Sequence, residues 1–112
     1  ASIGCSHRDP VPPEGVLQVD LSLLDEHGLM GPRDGKVALA YEFCIPDTDA
    51  MRHRVSSIDP TIEFMLGSAG RVGCGEDQCL CIGSSQQPNF RSVLHQLAAL
   101  PFVTEIRRCD FE

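Results

Sequence analysis

Three groups of side chains in this chain have the types and spacing to do chemistry. The first is sulfur. Six cysteines stand at positions 5, 44, 74, 79, 81 and 109. Cys74, Cys79 and Cys81 cluster beside a glycine-rich stretch, and thiolates are zinc ligands that His7, His27, His53 or His95 would complete. The spacing argues against that use. Structural zinc sites draw on paired cysteine knuckles, and only one irregular cluster is present. Two cysteines one residue apart on a strand also hold their Cβ atoms roughly 7 Å apart. The expectation is therefore no metal and no cofactor, with Cys74, Cys79 and Cys81 as the alternative ligand set or a redox group.

The second group is GSAGRVGCG at 67–75, whose glycines let backbone N–H groups point at an anion, with Arg71 to help hold a carboxylate or phosphate. It lacks the Gly-Lys-Ser/Thr ending of a nucleotide-binding loop, and no helix follows it. A plain connection between strands is the expectation. The third group is acid and base. Glu42, Glu63 and Arg107 lie in strand-like text, and paired carboxylates with a guanidinium can move a proton and anchor an anion.

These residues need elements to position them. In 36–46 the chain alternates, with Val37, Leu39, Tyr41, Phe43 and Ile45 on one face and Ala38, Ala40, Glu42 and Cys44 on the other, which predicts a strand. Residues 48–58 predict a helix capped by Thr48 or Asp47, with Met51, Val55 and Ile58 as its stripe and Pro60 ending it. Residues 61–66 read as a strand, 67–77 as a loop, and 78–83 as a short strand with Leu80 and Ile82 on the inner face and Cys79 and Cys81 on the outer. Residues 89–100 predict a helix with an apolar stripe from Phe90 to Leu100, and 102–109 a last strand. Upstream, 25–35 reads as a loop. Leu17, Val19, Leu21 and Leu23 predict an extra strand, with a helix from Asp20 competing. Residues 1–15, rich in proline and glycine, read as a flexible arm, leaving 16–112 as one domain.

From residue 36 the order is strand, helix, strand, strand, helix, strand. This resembles the ferredoxin-like superfold, an α+β sandwich with an antiparallel sheet and both helices on one face. The resemblance lies in element order alone, and the superfold carries many unrelated functions, so it transfers no functional residue. The last strand is expected beside the first, then the third, then the second. Alternation then puts Glu42, Cys44, Glu63, Cys79, Cys81, Arg107 and Cys109 on the outer face. Glu42 and Glu63 stand two strand spacings apart there, roughly 9–10 Å, too far to share a proton.

Composition narrows the function classes. The 112 residues carry 9 Lys+Arg against 16 Asp+Glu, a net charge of −7, which disfavours nucleic acid. No apolar run approaches the ~20 residues of a membrane span. The cysteine content lies below disulfide-scaffold density, so a reduced, cytoplasmic protein is expected. A solvent-facing sheet rich in thiols calls for a cover: the N-terminal segment, a second subunit or a ligand. The leading expectation is a non-enzymatic ligand-binding or regulatory module acting as a homodimer through that face. Its contacts would come from Glu42, Cys44, Glu63, Arg71, Cys81 and Arg107. The alternative is a small enzyme on the same face, with Glu42 or Glu63 as base, Arg107 as anion anchor and Cys44 as nucleophile.

Overall fold

The computed structural model describes residues 15–109. The arm read over 1–15 lies outside them but for Gly15. The chain is α+β, with two helices and two antiparallel sheets. A hairpin pairs β1 (Leu29–Met30) with β2 (Val37–Ala38). The main sheet holds β3 (Ala40–Pro46), β4 (Glu63–Met65), β5 (Gln78–Ser84) and β6 (Arg107–Arg108), in the spatial order β4-β5-β3-β6. Helix α1 (Asp49–Ile58) joins β3 to β4, and α2 (Phe90–Ala98) follows β5.

Local chemistry accounts for both helices. The Thr48 hydroxyl accepts the Met51 N–H at 3.2 Å, and Asp49 sits in the positive first turn of α1. Asp49 and Asp47 both accept hydrogen bonds from the Arg52 guanidinium. The apolar stripe of α2 buries Phe90, Val93, Leu94, Leu97 and Ala98. These pack on the inner face of β3, where Tyr41, Phe43 and Ile45 are fully buried beside Leu39. Burying each large apolar side chain is worth roughly 1.5–3 kcal/mol. A one-residue slip of β3 would turn the whole row outward, so its phase is strongly fixed.

The phase of β5 is the reverse of the one expected. Phe43 stands opposite Cys81, and Ile45 opposite Cys79, so both cysteines face the helices and Leu80 and Ile82 face out. The text Cys-Leu-Cys-Ile is apolar on both faces and carries no phase of its own. Pairing with β3 decides it, and the small thiols fit beneath the helices.

Three other expectations are corrected. Residues 17–23 do not form a strand: Leu17 makes one parallel bridge to Ile106, and Leu21–Leu23 turn as a short 3-10 helix. The Asp20 carboxylate takes the Ser22 N–H at 3.0 Å and its hydroxyl at 2.5 Å. A local side-chain cap thus outcompetes the ladder. The strand at 36–46 breaks at Leu39, which leaves Val37 exposed and pairs 37–38 with residues 29–30, text read as loop. The last strand is only Arg107–Arg108, because 101–103 close a turn in which the Val103 N–H reaches the Leu100 carbonyl.

Asp25 organises the hairpin. Its carboxylate accepts the N–H groups of His27 and Leu29 and pairs with Lys36 at 2.6 Å. The Lys36 ammonium, then the backbone N–H of Leu29, lower its pKa to about 2. A depressed carboxylate contributes stability that is complete above the unfolded value, near 4, and is lost as pH falls toward 2. The Leu29 amide is therefore expected to stay protected from exchange down to about pH 4 and to lose protection below it. An amide whose protection does not change with pH over that range would show that Lys36 and Asp25 do not hold the hairpin.

Candidate functional site

The connection from β4 to β5, residues 66–77, does not hang free as a hairpin loop. It folds back as a strap over the outer face of the sheet and is fastened at two points. Cys74 forms a disulfide with Cys44 on β3, closing a loop with a sequence separation of 30. Chain-entropy arguments give such a bridge roughly 3–4 kcal/mol. The second fastening is polar. Glu42, only 2% exposed, accepts the N–H groups of Arg71 and Val72 on Oε1, at 2.9 and 3.0 Å. A buried carboxylate is costly unless hydrogen-bonded, and two charge-assisted bonds offset that cost.

Between the fastenings the strap lies close to the sheet. Gly70, at φ +63°, passes so near that a Cβ there would sit 2.8 Å from Leu80 Cδ1 and 3.0 Å from Glu42 Oε2. Arg107, opposite Glu42 in the ladder, donates to the Arg71 carbonyl at 3.3 Å. The glycine-rich segment thus does turn N–H groups toward an anion, and that anion is the chain's own Glu42.

Of the residues expected at the site, the structure brings Glu42, Cys44, Arg71 and Arg107 together. Glu63 is exposed on β4; it and Glu42 both pair with Ile82, on either side of β5. Cys81 lies on the opposite face, in the core, which removes it from any outer site. The cover over the sheet is therefore this internal strap, and the centre of the face is not open. Cys44 is not available as a nucleophile, since its sulfur is bonded to Cys74. The ligand set Cys74, Cys79 and Cys81 is also corrected, because a disulfide and a whole sheet separate its members. Among the described residues no group of three or more His, Cys, Asp or Glu is placed to hold a metal ion. The expectation of fully reduced cysteines falls with the same disulfide.

Cys79 and Cys81 remain thiols, and burial raises the pKa of both. Raised, desolvated thiols are poor nucleophiles, so this pair fills space. A shallow cleft of about 490 Å³ opens between the strap and the start of α1, with Asp47, Ser68, Cys74, Glu76 and Gln78 in its walls.

One polar cluster escaped the sequence entirely. Asp59, just past α1, is fully buried. Its Oδ1 accepts from the Thr61 N–H at 2.9 Å, the Thr61 hydroxyl at 2.6 Å and the Gln87 amide at 3.0 Å, while the Tyr41 hydroxyl donates to Oδ2. Gln87 also donates to Tyr41 Oη at 3.1 Å and to the Ser84 carbonyl at 2.8 Å. Burial, then the charge of Asp59, raises the Tyr41 pKa far above its ordinary value. The available signal was Tyr41 itself, a phenol in the middle of an apolar face, whose hydroxyl needs a buried partner. Nothing in the spacing of Asp59 or Gln87 named that partner.

Compared with protein-family models, curated proteins and solved structures, the chain matches none. Among the described residues no helix is long and apolar enough to cross a membrane.

Proposed function

We propose that the protein is a non-enzymatic interaction module on a ferredoxin-like βαββαβ frame, acting as a homodimer. The order β6-β3-β5-β4 supports that frame, with the last strand beside the first, then the third, then the second. The observation that carries the dimer is the β4 side of the sheet. Strand β4 stands at the sheet's edge, and Met65 at its end and Leu66 just past it are 41% and 69% exposed. With the strap over the centre of the outer face, this margin is where apolar surface and strand edge meet. An edge paired with itself about a two-fold axis satisfies both and buries the apolar pair.

A small ligand of such a module belongs in the cleft beside the strap. The net negative charge supports a protein partner over nucleic acid. The disulfide supports an oxidising compartment in place of the cytoplasm that the composition suggested.

Native mass spectrometry and sedimentation at micromolar concentration test the reading. The wild type is expected to run as a dimer, and the variant carrying Met65→Glu and Leu66→Asp as a folded monomer. A monomeric wild type, or a dimer that the double substitution leaves intact, would remove it.

A further inference from the structure

We propose that the Cys44–Cys74 disulfide is the latch of a redox-operated strap, and that its reduction lifts residues 66–77 off the sheet while the fold beneath stays intact. The argument compares what holds the strap with what holds the sheet. Residues 66–71 and 75–77 are exposed, and only Val72 and Cys74 tuck partly beneath the surface. The strap thus contributes few buried side chains of its own, and what it covers on the sheet is chiefly Leu80 and Glu42. Its remaining ties are the two N–H bonds to Glu42, the contact from Arg107 to the Arg71 carbonyl, the Asp47 N–H on the Asp77 carbonyl and the packing of Gly70 over Leu80, and water can replace the polar ones. The sheet depends on none of these. Strands β3 and β5 pair over seven residues each, and the apolar core lies on the opposite face.

The latch is placed to be worked. Cys44 and Cys74 are each half-buried, and Cys74 lies on an exposed segment open to a dithiol reductant. Cys79 and Cys81 sit across the sheet from the disulfide, and the reductant proposed is an external dithiol. One thiolate of a dithiol attacks one sulfur of the bridge, and its second thiol resolves the mixed disulfide. Two electrons and two protons pass to Cys44 and Cys74, and the reductant leaves as its own disulfide. Lifting the strap uncovers Glu42, Leu80 and the Arg71 and Val72 N–H groups at the centre of the outer face. The inference does not require self-association through β4, although Leu66 belongs to both the strap and that margin.

Amide hydrogen exchange on the full chain tests it, in the oxidised protein, in protein treated with dithiothreitol, and in the variant carrying Cys44→Ala and Cys74→Ala. The variant isolates this bridge from every other cysteine. The Arg71 and Val72 amides are expected to lose their protection in both altered forms, exchanging at least tenfold faster than in the oxidised protein, while the β3–β5 ladder amides, quickened by the lost bridge, stay protected. Unchanged Arg71 and Val72 rates, once mass spectrometry confirms thiols at 44 and 74, would overturn the proposal. So would loss of protection across the ladder as well, which would make the bridge a staple of the whole fold.

Discussion

Replacing Asp59 by alanine is expected to cost about 3–5 kcal/mol. The carboxylate accepts from Tyr41, Gln87 and both the N–H and hydroxyl of Thr61. Alanine leaves those donors around a small void where water has little access. Asp59→Asn should recover roughly half of the loss, because its oxygen still serves Thr61 and Gln87. Its amide would donate to Tyr41 Oη, whose hydroxyl can turn to the Ser84 carbonyl, now 3.4 Å away. Urea denaturation of the two variants measures both numbers. An alanine variant within about 1 kcal/mol of wild type would mean that water replaces the carboxylate and that the cluster adds little.

The second large effect is steric. Gly28→Ala should cost about 3–5 kcal/mol or prevent folding, whereas Gly67→Ala should cost only about 1 kcal/mol. Both glycines have positive φ, at +76° and +77°, so the backbone strain imposed on alanine is the same. They differ in surroundings. At Gly67 nothing lies within 4 Å of the new Cβ, while at Gly28 it would fall 2.0 Å from the Ser85 carbonyl oxygen. That oxygen cannot retreat freely. The buried Ser85 side chain donates to the Gly28 carbonyl at 2.6 Å and accepts the Leu39 N–H at 2.9 Å, tying the hairpin to the sheet. Thermal unfolding of the pair separates strain from clash, and equal losses would contradict the close approach at Gly28.

What the sequence disclosed follows from where its pattern was one-sided. Tyr41, Phe43 and Ile45 alternate with Ala40, Glu42 and Cys44, so only one face of β3 suits the core, and its phase was legible. Thr48, Pro60 and the Phe90–Ala98 stripe bounded the helices for equally local reasons. The phase of β5 was not legible, because a strand covered on both faces loses its alternation. The strap was half legible. Glycines at 67, 70 and 73 announced N–H groups free to meet an anion, but that the anion is Glu42, 29 residues upstream of Arg71, is a fact of tertiary folding. The pairing of Cys44 with Cys74 was equally beyond reach, since spacing does not select partners among six cysteines. The Asp59 cluster draws its members from β3, the end of α1, the approach to β4 and the approach to α2, and no local signal joins them.

The bridge also shortens the loop that the central ladder must close. Cys44 pairs with Leu80 in the β3–β5 ladder, and the chain path between them runs through all of α1 and β4. The disulfide replaces the first 30 residues of that path, leaving the short stretch from Cys74 to Leu80. Pairings distant in sequence are slow to form because their loop must close before any contact rewards it. In the oxidised chain the central ladder is in effect a local hairpin, with far less loop-closure entropy to lose than the same ladder in the reduced chain.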